Sequence, residues 1–145
     1  EKGNEGTVSA IDVFYTQILT FDNKVVVIPN GTLVNGCITN YTRCDKRRLD
    51  ISVGIAYEED IRTAKKVLEE VLSKEKCVLP EEDKRVFVDA LGDSAVVMNV
   101  RCWVKTENYW EVKWRMTEEI KYALDEAGIR IPFPQMDVHV DSGVK

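Results

Sequence analysis

The sequence predicts an α+β chain in two parts, a small all-β module followed by an α/β module with a strand at its end. Two observations carry that prediction. In the first third, β-branched and aromatic residues gather in short runs separated by turn residues, the pattern of strands with tight connections. Beyond residue 48 the hydrophobic period alternates between two and about 3.6, and the segments read in the order βαββαβ. Charge shifts at the same place. Residues 1–48 carry six Lys/Arg against five Asp/Glu, and the remainder carries 14 against 20.

Within the first part, the run from Thr7 to Phe21 reads as short strands, and the polar step Phe21-Asp22-Asn23-Lys24 turns the chain back into Val25–Ile28. Asn30-Gly31 and Asn35-Gly36 follow Pro29, with room between them for a single helical turn. Ile38–Tyr41 is expected to add one more strand. Strands this short with turns this close suit a small barrel of Sm-like or SH3-like type, placed at 1–47.

The second part opens with strict alternation at Leu49, Ile51, Val53 and Ile55, a strand with one buried face. Ile61, Ala64, Val67, Leu68, Val71 and Leu72 then recur at helical spacing, and Pro80 bars continuation. Arg85–Leu91 and Ala95–Val104 read as an antiparallel pair turning at Gly92-Asp93. A second long helix is expected from Asn108, read as a cap, with a stripe through Trp110, Trp114, Met116, Ile120, Ala123, Leu124 and Ala127 and a stop at Gly128. With right-handed crossovers this order gives a ferredoxin-like sandwich over 48–131. After Pro132 and Pro134, the alternation of Met136, Val138 and Val140 marks a terminal strand within 132–145, which either joins the sheet or is carried away from it.

Composition narrows the function classes. The chain is 44% hydrophobic and 31% charged with a net charge of -5, a globular balance that argues against nucleic acid as a partner. No run approaches the roughly 20 apolar residues that span a bilayer. Cys37, Cys44, Cys77 and Cys102 form no CxxC pair, so reduced thiols are expected. No phosphate-binding loop, nucleophile elbow or paired-carboxylate motif is present, and Asp137, His139 and Asp141 read as one solvated strand face. No enzymatic activity and no cofactor are expected.

Three segments, in order, carry a resemblance: Gly6-Thr7-Val8 before a strand, Thr20-Phe21-Asp22-Asn23-Lys24 before Val25-Val26-Val27-Ile28-Pro29-Asn30, and Ile131-Pro132-Phe133-Pro134-Gln135. Together the chain resembles the soluble C-terminal region of the small-conductance mechanosensitive channel (MscS) family. The resemblance implies a first β strand and membrane helices ahead of Glu1, so the chain is expected to be an excised piece. It implies a homo-oligomer of seven copies forming a hollow vestibule at the cytoplasmic side of the inner membrane, below a tension-gated pore that releases ions and solutes on hypoosmotic shock. A soluble regulatory module that binds a ligand through its ferredoxin-like part is the alternative.

Three groups of residues are candidates for function. Pro29, Asn30 and Gly31 read as a tight turn, and the resemblance adds a coupling role beneath the pore helix. Arg43, Asp45, Lys46, Arg47 and Arg48 read either as a solvated linker or, by resemblance, as the charged rim of a lateral portal. Met136, Val138 and Val140 either extend the sheet or, by resemblance, contribute to a narrow parallel barrel in which the apolar parity points inward and His139 outward.

Overall fold

The computed structural model describes residues 5–136. The chain divides between Arg43 and Cys44 into two compact units.

The first unit is an antiparallel meander of β1 (Gly6–Ile11), β2 (Tyr15–Thr20) and β3 (Val25–Pro29), in that order across the sheet. The β2–β3 turn forms where the sequence places it. Asn23 takes a left-handed φ of 64°, a conformation asparagine tolerates, and Thr20 Oγ1 accepts from the Lys24 amide at 3.0 Å. Gly6 is required by close approach: a Cβ there would stand 2.2 Å from the Leu19 carbonyl oxygen. A short helix, α1 (Asn30–Asn35), follows β3 directly. The strand expected at Ile38–Tyr41 does not form. Instead, the Asn40 side chain accepts from the Thr42 and Arg43 amides, both at 2.9 Å, and this local turn withdraws the backbone groups a strand would use.

The second unit places β4 (Lys46–Ile55), β6 (Val96–Lys105) and β5 (Arg85–Leu91) side by side in that order, all neighbours antiparallel. With α2 (Ile61–Lys74) and α3 (Tyr109–Glu126) packed on one face, this is the first, third and second strand of a ferredoxin-like sheet. The fourth position is not filled among the described residues. Alternation decides the buried face: Leu49, Ile51 and Ile55 of β4 meet Met98, Val100, Cys102 and Val104 of β6 beneath Ala64, Leu68 and Leu72 of α2.

Helix ends follow local chemistry. Asp60 caps α2, accepting from the Thr63 amide at 3.0 Å and the Arg62 amide at 3.3 Å. At the end of α3, Gly128 has φ 70°, its amide donates to Asp125 at 3.0 Å and the Ile129 amide donates to Leu124 at 2.9 Å, which is a Schellman stop. The expected Asn108 cap is absent. Asn108 has helical φ and ψ at the end of a 3-10 turn (Thr106–Asn108), and its side chain makes no cap bond. The stripe of α3 also differs from the expected one: Val112, Met116, Ile120 and Leu124 are buried, whereas Trp110 and Trp114 are 44% and 67% exposed. The two indoles stand four residues apart and pack on each other, ring centroids 6.1 Å apart, outside the core.

Candidate functional site

Asn30 makes three side-chain hydrogen bonds, and all of them reach residues 14 to 18 positions earlier in the chain. Its amide nitrogen Nδ2 donates to the carbonyls of Asp12 at 2.8 Å and Val13 at 3.0 Å, while its Oδ1 accepts from the buried hydroxyl of Thr16 at 2.8 Å. Its backbone N–H donates to Phe14 at 2.8 Å. One residue thus ties the β1–β2 connection to the end of β3. Pro29, with φ −58° and ψ 132°, occupies the N-cap position and directs the chain from strand to helix. The Asn-Gly pair is therefore a strand-to-helix junction and not a hairpin turn. Gly31 lies inside α1, with open space where a Cβ would stand.

The basic group is divided by the strand it starts. Lys46, Arg47 and Arg48 are the first residues of β4, so they are ordered sheet residues and not linker. Alternation then sends them to opposite faces. Arg47 faces the helices, where its guanidinium lies 3.6 Å from the centroid of the Tyr109 ring. Lys46 and Arg48 face the other way. Lys46 pairs with Glu82, and Arg48 pairs with Asp50 at 2.7 Å. Arg43 and Asp45 precede the strand and are exposed.

A groove of about 500 Å³ runs between the end of α2 and the outer side of α3. Glu75 and Arg115, both in its lining, form an ion pair: Arg115 donates to both oxygens of Glu75 at 2.9 Å, and it also donates to Glu111, outside the groove, at 2.8 Å. The Glu75 side chain is only 8% exposed, and the Arg115 hydrogen bonds hold its carboxyl below the usual carboxylate range against the opposing effect of burial. Cys102, in the core, is the reverse case, its thiol pushed up to about 11 by burial. Among the described residues no group of His, Cys, Asp and Glu is arranged to hold a metal ion, and no helix is long and apolar enough to cross a membrane.

Of the terminal residues, Met136 is 83% exposed and lies in no strand. Val138 and Val140, like Asp137, His139 and Asp141, fall outside the described residues. Sequence reasoning missed the carbonyls that receive Asn30 and the polar set Asp50, Asn99 and Arg101 on the open face of the second sheet. The signal for that face was present in the alternation of β6, whose odd positions 99, 101 and 103 are Asn, Arg and Trp.

These features describe a two-unit α+β protein whose first sheet has almost no core of its own. Two family models match it: "Mechanosensitive ion channel, beta-domain" over residues 2–43 and "Mechanosensitive ion channel MscS, C-terminal" over residues 49–131. A small-conductance mechanosensitive channel of Edwardsiella ictaluri is 41% identical over 143 residues, 99% of this chain and 50% of that protein. The channel MscMJ of Methanocaldococcus jannaschii is 30% identical, over 97% of this chain and 41% of that protein. Among solved structures, Helicobacter pylori MscS in its closed state superposes with a TM-score of 0.90 at 28% identity, covering 97% of this chain and 56% of that one. Arabidopsis thaliana MSL1, at 17% identity and a TM-score of 0.72 over 90% of this chain and 50% of that one, shares the fold. The chain belongs to the MscS mechanosensitive channel family. It spans about half the length of the curated relatives it matches.

Proposed function

We propose that this chain forms the vestibule wall of a tension-gated channel, on the cytoplasmic side of the inner membrane, through which ions and solutes leave the cell on hypoosmotic shock. The family supplies the class. The observation in the molecule that supports assembly is the state of the first sheet. Of its strand residues only Thr16 and Ile28 are buried, while Val8, Val25 and Val27 of its strands and Val13, Phe14 and Phe21 of its connections are each more than half exposed. A three-stranded sheet that leaves this much apolar surface in water presents a patch suited to burial against a partner. Copies of the same chain, arranged in a ring of seven, are the partner that covers it in this assembly.

Within that ring, Pro29, Asn30 and Gly31 transmit the position of the β1–β2 connection toward the gate, because Asn30 holds both ends of that connection. Arg43, Asp45, Lys46, Arg47 and Arg48 lie at the rim of a lateral opening and bias passing ions over the roughly 8 Å that salt allows. Met136, Val138 and Val140 close the far end as one strand of a parallel barrel; of the limits 1–47, 48–131 and 132–145, the first is drawn back to Arg43 so that β4 stays whole within the second module. To test this assembly, the chain is grafted in place of the matching segment of the Edwardsiella ictaluri channel and the particle mass is measured in detergent. Seven subunits are expected, and Val138→Asp lowers that number; a chimera that stays monomeric, or an unaffected mutant, contradicts the assembly.

A further inference from the structure

The face of the second sheet that points away from the helices carries a cluster of charged and polar side chains. Register places its side chains in rows: Arg48 beside Trp103, Asp50 beside Arg101 and Arg85, Ser52 beside Asn99 and Phe87. Asp50 sits between two guanidiniums, its Oδ2 accepting from Arg48 Nε at 2.7 Å and its Oδ1 from Arg101 Nε. Burial alone would push the Asp50 carboxyl up, but the bonds from Arg101 and Arg48 outweigh it and the net direction is down. The carboxylate is thus a fixed negative post. It engages each arginine through Nε, and among the described residues the Nη groups of both arginines donate to no protein acceptor.

Two further features are unexplained by a purely structural ion pair. Arg85 lies directly opposite Arg101 across the β5–β6 ladder, a like-charge pairing that a sheet tolerates poorly. Arg85 is tethered by Asp83, and Arg101 lies over the Phe87 ring at 5.1 Å. Asn99, 6% exposed, donates through Nδ2 to Ser52 Oγ at 3.2 Å, while its Oδ1 is buried with no partner. A buried carbonyl oxygen without a donor is a rare and costly arrangement.

We propose that this face binds a small oxyanion bearing its own hydrogen-bond donor, of the hydroxycarboxylate or hydrogen phosphate class. The oxyanion takes the free Nη donors of Arg48 and Arg101, whose planar forks match carboxylate and phosphate oxygens. The ligand hydroxyl donates to Asn99 Oδ1, which the neighbouring side chains of this face uncover as the ligand enters. Its negative charge offsets the excess of three arginines over Asp50 and Asp83 and relieves the Arg85–Arg101 opposition. This is a seated ligand, distinct from ions drifting past a rim, and it stands independently of the channel reading.

The test is an NMR titration of the 145-residue chain at fixed ionic strength with glycolate, inorganic phosphate, acetate and chloride. Saturable shifts confined to the amides around 48–52, 85–87 and 99–101 are expected for glycolate or phosphate, with dissociation constants on the order of millimolar. The stronger of the two names the ligand class. Acetate, which lacks the donor, binds at least threefold more weakly than glycolate, and chloride produces no saturable shift. Arg101→Gln weakens binding at least tenfold and Arg62→Gln, on α2, leaves it unchanged. Should Arg101→Gln fail to fold, Arg48→Gln, at a side chain 49% exposed, gives the same loss. Asn99→Leu abolishes the preference for glycolate over acetate. No localised shift up to about 20 mM, shifts equal to those from chloride, or undiminished binding in Arg48→Gln overturns the proposal.

Discussion

Asn30 shows how much one side chain can determine locally. Its Nδ2 serves two carbonyls that no other described side chain reaches, so Asn30→Asp replaces two donors with a carboxylate facing those same oxygens. The expected cost is about 1–3 kcal/mol in the stability of the first unit, read as faster amide hydrogen exchange in β2 and β3. Gly31→Ala provides the contrast: the position is helical with open space at Cβ, so alanine is neutral or stabilising by up to about 1 kcal/mol. Sequence could locate this junction but not describe it. Asn-Gly between apolar runs fits a hairpin equally well, and the choice for a helix depends on carbonyls 17 and 18 residues earlier.

At the scale of elements, the parts decided by period were legible and those decided by competition between local bonds were not. The alternation of β4 and β6 and the stripe of α2 fix their buried faces because a single-residue shift would bring charge into the core. Trp110 and Trp114 misled the reading of α3, since an apolar count cannot separate a core stripe from an exposed pair stacked beside it. Leu68→Ala tests the stripe of α2, where the side chain is fully buried; a loss of about 2–5 kcal/mol in urea unfolding is expected. Glu75 links helix packing to pH. Its folded carboxyl is held below the usual 4.5, so the Glu75–Arg115 pair contributes stability above that pH and loses it as pH falls through 4.5 and below. Urea midpoints should decline across that range, and Glu75→Gln should flatten the decline; an identical slope in the mutant would remove Glu75 from the account.

At the scale of the whole molecule, the order of modules and the family were readable because three short motifs recur at separations that strands and helices of set length impose. The open face of the second sheet was not, because its members come from three strands and meet only through register. Under the proposed assembly, the net charge of -5 keeps repeated copies soluble and the exposed apolar residues of the first sheet are the surface left for contacts between them. The central claim is that this wall belongs to a channel opened by membrane tension. Patch-clamp recording from liposomes containing the Edwardsiella ictaluri channel, with this chain grafted over its matching half, tests it most directly. The account predicts currents that appear with applied suction and vanish on its release; a membrane-inserted chimera that stays silent up to the tension that ruptures the patch would contradict it.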